Sequence, residues 1–251
     1  MMISDMRAYS NRGGRECNED ACFSMTLETI PGEQVWLGVV IDGISMSNGR
    51  ISSAIALESL FGVAVGKQIL PRLPELVLRG EAENAIKNLS KAMQSLIYEI
   101  HEALNDNVAV FGDMGCAVSA ALLAGEHLFV SNAGDCPVLL VTKNGAREVY
   151  EDHRSGGSGL NKFCGTPRAV IGCADEVPVQ SVKLSGEGIL LVGSDGMLKD
   201  AMSDRERDET VEAALLNAQS MDALVRKLSE KVAESTTTDD NNTLLAVRYS
   251  C

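Results

Sequence analysis

The sequence has no long hydrophobic run and no paired-cysteine motif. No apolar stretch in the 251 residues approaches the roughly 20 residues that a membrane-spanning helix needs. The first ten residues, MMISDMRAYS, have neither the basic start nor the apolar segment of a secretory leader. The seven cysteines are odd in number and form no C-x-x-C pair, which favours reduced thiols over a disulfide framework or a zinc site. We therefore expect a cytoplasmic protein.

Positive charge is also scarce. The chain has 22 Lys and Arg residues against 35 Asp and Glu residues, a formal net charge of -13. Such a surface repels nucleic-acid phosphates and anionic lipid headgroups, so we expect neither nucleic acid nor a membrane as a partner. Most acids of such a chain belong to a solvated surface, but some could be balanced by bound cations. The charge total does not separate these two cases.

No segment has the composition of an interdomain linker. The hydrophobic share of 45% is enough for a sizeable core, and a chain of this length is commonly one large domain. We therefore predict a single domain over residues 1–251.

Two apolar segments each end in an Asp-Gly pair. Residues 35–41, VWLGVVI, predict a buried strand that leads into Asp42-Gly43, and residues 188–194, GILLVGS, lead in the same way into Asp195-Gly196. Acids held at strand ends, each beside a glycine that permits close approach, are suited to bind a divalent metal ion. Either Asp-Gly pair alone is better explained as ordinary turn chemistry, so the two copies and their surroundings carry the metal hypothesis.

Three further acids lie where predicted strands begin or end: Asp20 before residues 21–27, Asp135 after the hairpin of residues 116–133, and Asp240 before residues 243–247. Arg15, five residues before Asp20, has two interpretations. It forms either a weak surface ion pair with Glu19 or a guanidinium fork that grips two oxygens of a phosphate.

Apolar residues at helical spacing predict helices between the β segments, over residues 51–65, 83–104, 210–216 and 221–233. Ser47 or Asn48 is a candidate cap for the first of these helices. His101 lies beside the apolar stripe of the second, and we predict an exposed histidine there. Helices between β blocks indicate an α+β fold, a four-layer α-β-β-α sandwich of two mainly antiparallel sheets with helices on both outer faces.

The ordered set of short motifs resembles the metal-dependent type-2C (PPM-type) serine/threonine protein phosphatases, most of all their compact bacterial catalytic domains. Each motif is weak alone, and the set covers nearly the whole chain. The motifs are R-x-x-N-E-D at Arg15 to Asp20, D-G at Asp42, M-G-C-A at Met114 to Ala117, N-A-G-D at Asn132 to Asp135, D-H at Asp152, T-P-R-A-V-I-G at Thr166 to Gly172, S-D-G at Ser194 to Gly196 and D-N-N-T at Asp240 to Thr243.

The resemblance implies hydrolysis of phosphoserine and phosphothreonine monoesters in phosphorylated proteins, by direct attack of a hydroxide that bridges two Mg²⁺ or Mn²⁺ ions. The implied metal-site residues are Glu19, which would orient coordinated water, Asp20, Asp42, the carbonyl of Gly43, Asp195 and Asp240. Arg15 would position the phosphate, and Asp42 and Asp195 are the acids whose loss should abolish activity. All these ligands are oxygens, which suits hard cations.

The departures from the family pattern leave a second interpretation open. Ile44 stands where some relatives offer a proton donor, and G-T-T has become G-C-A at Gly115 to Ala117. A third metal would use Asp135 with an acid four residues after Asp195, but that position is Lys199 and Asp200 comes one residue later, which weakens the case for a third ion. The alternative function is therefore a catalytically weak or inactive pseudophosphatase that acts as a regulatory binding module.

Overall fold

The structure of the chain, a computed structural model, describes residues 1–28, 32–62, 82–154, 159–235 and 239–251. Its strands are β1 (Met2–Asn11), β2 (Ala21–Glu28), β3 (Gln34–Gly43), β4 (Gly115–Ala124), β5 (His127–Ala133), β6 (Val138–Thr142), β7 (Gly145–Glu148), β8 (Cys164–Gly165), β9 (Val179–Lys183), β10 (Glu187–Gly193) and β11 (Asn242–Ser250). Its α-helices are α1 (Gly49–Ser59), α2 (Ala82–Asp106), α3 (Val108–Phe111), α4 (Asp195–Leu198), α5 (Asp204–Leu216) and α6 (Met221–Glu234).

The strands form two antiparallel sheets. Sheet 1 has the order β1-β11-β10-β6-β7, and sheet 2 has the order β2-β3-β4-β5-β9, with the short β8 paired to β4. Apolar side chains from both sheets, among them Trp36, Val40, Leu190 and Leu245, pack between them. The predicted sandwich is confirmed at this level, because the two sheets share one apolar interior.

Helices cover the outer faces of both sheets. Met93 and Ile97 of α2 pack with the outward face of sheet 2, and Leu224 and Leu228 of α6 pack with that of sheet 1. Strand β3 is consequently buried on both faces, which is why its sequence is a continuous apolar run instead of an alternating one.

Most predicted elements are present, and three strands were not predicted: the short β8 and the edge strands β1 and β9. β1 and β9 pair at sheet edges with β11 and β5, and their side chains are largely exposed or half-buried. The first predicted helix begins at Gly49, and residues 63–65 of that prediction lie outside the described residues. Among the helices within the described ranges, none is both long and apolar enough to cross a membrane.

Two local predictions were wrong. Asn48 does not cap α1 through its side chain, because its amide instead donates to the carbonyls of Phe111 and Asp113, each at 3.0 Å. His101 is 0% exposed, since the turn that follows β8 packs over this part of α2. Its Nδ1 accepts from the Gly165 N–H at 3.1 Å, and its Nε2 lies 3.0 Å from the Arg168 carbonyl.

Candidate metal centre

The predicted acids meet at one end of the sandwich, where strands of both sheets begin or end. Asp42 is the second-to-last residue of β3, and Asp20 directly precedes β2. Because Ala21 pairs with Ile41 across these antiparallel strands, Asp20 lies beside Asp42. Sheet 1 adds Asp195, at the start of α4 directly after β10, and Asp240, two residues before β11.

Three of these acids, Asp42, Asp195 and Asp240, line one open cavity of about 480 Å³. Its wall includes Arg15, Asp42, Asp135, Asp195 and Asp240. Asp20 is almost completely buried, at 9% exposed, and its charge acts directly on Asp42. The structure therefore brings together acids that are more than 200 residues apart in the chain.

Burial and mutual repulsion make these carboxylates hard to ionise. Burial raises the pKa of Asp42 well above its usual range, and the charges of Asp20 and Asp195 raise it further. Burial also raises the pKa of Asp195 to about 7, with added repulsion from Asp135. These shifts all favour protonation unless a cation compensates the charge.

Asp20 provides the clearest sign of what the centre accommodates. Burial raises its pKa to about 6, and the hydroxyls of Thr243 and Ser194 offset part of that increase. Both of its carboxylate oxygens are buried without a well-formed hydrogen bond to any described residue. Buried polar atoms ordinarily have partners, so this pair of oxygens fits a ligand position for a cation.

The donor set fits hard divalent ions. Oxygen atoms of Asp195, Asp200 and Asp240 all lie within 4.8 Å of one another, and carboxylate oxygens are the ligands that Mg²⁺ and Mn²⁺ favour. Asp200, which follows Asp195 by five residues, is thus brought to the centre. The assignment of each acid as a ligand stays a prediction.

Gly43 allows the backbone to approach closely at the end of β3. A side chain at this position would collide with the carbonyl oxygens of Gly49 and Glu19. The next residue, Ile44, donates its N–H to the Gly115 carbonyl at 3.0 Å. This packing fixes the peptide whose carbonyl is the predicted ligand.

Glu19 lies beside the cavity and not in its wall. Its side chain accepts a hydrogen bond from the Ser45 hydroxyl, and its backbone N–H donates to Asn241 Oδ1 at 2.8 Å. It also lines a neighbouring groove that shares Ser45 with the main cavity. A role in orienting coordinated water stays a prediction for this residue.

Arg15 does not form the ion pair with Glu19 that was one interpretation of the sequence. Its Nη2 lies 2.9 Å from Asp240 Oδ1, and its Nη1 donates to the Ser45 hydroxyl at 3.4 Å. Its Nε is buried and has no hydrogen-bond partner among the described residues. The guanidinium therefore stands at the cavity wall with donor capacity left over for an anion.

Sequence reasoning missed three residues of the site, which are Asn241, Ser45 and Arg154. The Asn241 amide donates to the carbonyls of Arg12 and Cys17 at 2.8 and 3.0 Å, so it ties the Arg15 loop to the entrance of β11. Asn241 lies within the D-N-N-T motif, which was the available signal. Ser45 had no such signal, because its partners are set only by the fold.

The acids expected at a third ion, Asp135 and Asp200, have a basic side chain between them. Arg154 lies 3.7 Å from Asp135 Oδ2 and 3.9 Å from Asp200 Oδ1. Burial raises the pKa of Asp135, and the positive charge of Arg154 offsets part of this increase. A guanidinium is thus placed where a third ion would have been expected.

The family described as Stage II sporulation protein E (SpoIIE) matches residues 64–250 of this chain. The chain belongs to the SpoIIE family. The family match includes Asp195 and Asp240, whereas Arg15, Asp20 and Asp42 lie before its first residue. The resemblance to the compact bacterial PPM-type domain is confirmed by this match and by the relatives that follow.

Two curated plant proteins are similar to parts of this SpoIIE-family chain. "Probable protein phosphatase 2C 13" of Arabidopsis thaliana is 31% identical over 117 residues, which are 45% of this chain and 29% of that protein. "Probable protein phosphatase 2C 56" of Oryza sativa subsp. japonica is 28% identical over 146 residues, 58% of this chain and 37% of that protein. The chain therefore spans only about a third of the length of these relatives.

Solved structures share the fold over the whole chain. A bacterial serine phosphatase has a TM-score of 0.70 at 17% identity, covering 100% of this chain and 99% of that one. The serine/threonine phosphatase Stp1 from Staphylococcus aureus has a TM-score of 0.70 at 18% identity, covering 100% and 96%. At such identities the likeness establishes the α-β-β-α fold of this SpoIIE-family member.

Proposed function

We propose that this chain is a metal-dependent phosphatase that hydrolyses phosphoserine and phosphothreonine monoesters in proteins. One observation carries the proposal: carboxylates from four distant segments converge on one open cavity, with two buried Asp20 oxygens left without hydrogen bonds among the described residues. The plant relatives are named as protein phosphatases 2C and the similar solved structures are serine or serine/threonine phosphatases, which supports the same activity. A cytoplasmic location stays an expectation from the sequence.

Asp20, Asp42, Asp195 and Asp240, with the Gly43 carbonyl, would hold two Mg²⁺ or Mn²⁺ ions. When bound, such a pair lowers the pKa of a shared water and neutralises charge on the transferring phosphoryl group. The raised carboxylate pKa values support this role, because cations relieve the repulsion that causes part of them.

Arg15 would bind the phosphoryl oxygens at the cavity wall. Its side chain is 39% exposed, so it is open to a phosphate from solvent, and a planar guanidinium can contact two phosphate oxygens at once. The Ser45 hydroxyl lies between Arg15 and Glu19 and so fixes the direction from which Arg15 reaches the substrate.

Protonation of the leaving group is the weakest part of the site. Ile44, which lines the cavity, cannot donate a proton, and the other apolar residues of the wall cannot do so either. The alkoxide of a serine or threonine would take its proton from solvent. We therefore expect faster turnover of aryl phosphates, whose leaving groups need no proton, than of phosphoserine peptides.

Phosphate release in a Mn²⁺ titration tests the proposal. The wild-type chain should hydrolyse an aryl phosphate and a phosphothreonine peptide only when Mn²⁺ or Mg²⁺ is present. Asp42→Asn and Asp195→Asn should each lower kcat by at least about 100-fold, since each removes a charged ligand at the reacting centre. Asp175→Asn changes an exposed acid in the short 3₁₀ helix Ala174–Glu176, which does not line the cavity; it is the matched control and should keep full activity.

Activity that survives chelation, or that is unchanged in both variants, would overturn the metal mechanism. Tight binding of a protein partner with no hydrolysis at saturating Mn²⁺ would instead select the pseudophosphatase interpretation.

A further inference from the structure

One guanidinium lies among three carboxylates beside the metal centre. Arg154 contacts Asp152 Oδ2 through Nη2 at 3.3 Å, in addition to its contacts with Asp135 at 3.7 Å and Asp200 at 3.9 Å. Asp135 lines the central cavity, and a carboxylate oxygen of Asp200 lies within 4.8 Å of oxygens of Asp195 and Asp240. The positive charge of Arg154 is therefore at the edge of the acid cluster, with its side chain 34% exposed to solvent.

The backbone that carries Arg154 is held firmly. Asn132 makes two hydrogen bonds with the backbone of Glu151. Its side-chain Nδ2 donates to the Glu151 carbonyl at 2.7 Å, and its Oδ1 accepts from the Glu151 N–H at 3.2 Å. His153 is buried, and its Nδ1 accepts from the Gly134 N–H at 3.1 Å. The Arg154 N–H donates to Asp152 Oδ1 at 2.9 Å. These contacts hold the backbone of residues 151–154, and the guanidinium is oriented by its Nε and Nη2, which each donate to Asp152 Oδ2 at 3.3 Å.

A second basic residue, Lys199, lies on the same side of the acid cluster as Arg154. Lys199 Nζ lies 2.6 Å from Asp152 Oδ2, and its side chain is only 10% exposed. It also lies 4.8 Å from the centre of the Tyr150 ring, where the ring face attracts a cation. Two protein cations, from Arg154 and Lys199, thus face the carboxylates on this side of the centre.

We propose that the Arg154 guanidinium takes the place of a third divalent ion, so that the centre holds two ions and Asp135 is a partner of Arg154 and not a metal ligand. A divalent ion bound by Asp135 and Asp200 would lie next to a fixed guanidinium, and repulsion between the two cations opposes its binding. This inference rests on the proposed two-metal function for the number of remaining ions.

The number of Mn²⁺ ions bound per chain tests the inference without any measurement of activity. Calorimetric titration and metal analysis after dialysis should give two ions for the full wild-type chain. Arg154→Gln removes the charge and keeps much of the side-chain length, and this variant should bind a third ion. Arg154→Lys keeps the charge and is the matched control, which should bind two.

Asp135→Asn in the wild-type background provides a second test that does not depend on how well the Arg154 variants fold. Because Asp135 ligates no ion in the proposed arrangement, this variant should still bind two. Three ions in the wild type, or a loss of one ion in Asp135→Asn, would overturn the inference, as would an Arg154→Gln variant that folds and binds only two.

The outcomes also separate this inference from the proposed activity. Two bound ions without hydrolysis would remove the phosphatase function and leave the role of Arg154 intact. A wild-type chain that binds no Mn²⁺ would overturn both.

Discussion

At the scale of single residues, the Ser45 hydroxyl joins the two groups that flank the phosphate side of the cavity. It donates to Glu19 and accepts from Arg15. We predict that Ser45→Ala raises KM for an aryl phosphate and lowers kcat/KM by about fivefold to tenfold, because one hydrogen bond to a charged group is lost and Arg15 is oriented less well. Steady-state kinetics at saturating Mn²⁺ measures both constants.

Ser45→Thr is the control for this prediction, since it keeps the hydroxyl and should restore most of kcat/KM. Inorganic phosphate should also inhibit the alanine variant more weakly than the wild type, because product and substrate share the contact with Arg15. Equal kcat/KM values in Ser45→Ala and wild type would show that Arg15 needs no support from this residue.

At the scale of elements, α2 is attached to the turn after β8 by a buried histidine. The Gly165 N–H donates to His101 Nδ1, which leaves Nε2 as the protonated nitrogen, and Nε2 then donates to the Arg168 carbonyl. Burial lowers the pKa of His101, while the hydrogen bond to the Arg168 carbonyl and the charge of Glu102 offset part of this decrease. The folded chain therefore holds His101 neutral.

The stabilising effect of His101 should decrease as the pH falls. Below about pH 6.5 the unfolded chain binds a proton that folded His101 does not, so stability present above that pH is lost on acidification. We predict that urea unfolding shows wild type more stable than His101→Gln at pH of about 7.5, and that this difference shrinks by up to about 1 kcal/mol near pH 5.5. A difference that is constant with pH would contradict the neutral, buried histidine.

The elements that were predicted from the sequence are those with a clear apolar period. β3 is buried on both faces and α2 on one, so β3 has a continuous apolar run and α2 has an apolar stripe at helical spacing. β1 and β9 are edge strands with mostly exposed or half-buried side chains, so their sequences show no apolar pattern that would predict a strand. His101 was misjudged because the loop that buries it comes from a distant part of the chain.

At the scale of the whole molecule, the acids of the site could be named from the sequence, but their partners could not. Asp42 and Asp195 end apolar strands, and that pattern is local. Arg154 and Asn241 act through contacts with segments 19 to more than 200 residues away, which depend on how the two sheets pack. The sequence alone therefore predicted the acids of the proposed metal centre and missed Arg154 and Asn241, whose partners are set by the fold.

The same acid cluster that is proposed to bind metal should destabilise the metal-free fold. Asp20 and Asp195 have pKa values of about 6 and about 7 in the folded chain, against a usual value near 4 in an unfolded one. The folded state thus binds more protons than the unfolded state over this range, and its stability falls as the pH rises from about 4 to about 7. Burial and the charges around Asp42 raise its pKa as well, so it contributes in the same direction.

We predict that Asp42→Asn raises the melting temperature of the chain in a chelator, although it abolishes the proposed activity. The amide removes one buried charge from the cluster, and about 1 kcal/mol of stability shifts the melting temperature by roughly 2–4 °C in a chain of this size. The gain should be larger at pH of about 7.5 than near pH 5.5, where protonation already relieves the repulsion in the wild type.

Added Mn²⁺ should reverse the order, because it raises the melting temperature of the wild type and has little effect on the variant. Calorimetry with and without Mn²⁺ at both pH values measures all four differences, with Asp175→Asn as the exposed control. A variant that melts below wild type in the chelator would show that the Asp42 carboxylate stabilises the metal-free fold. The acid cluster would then not be a source of instability that bound cations relieve.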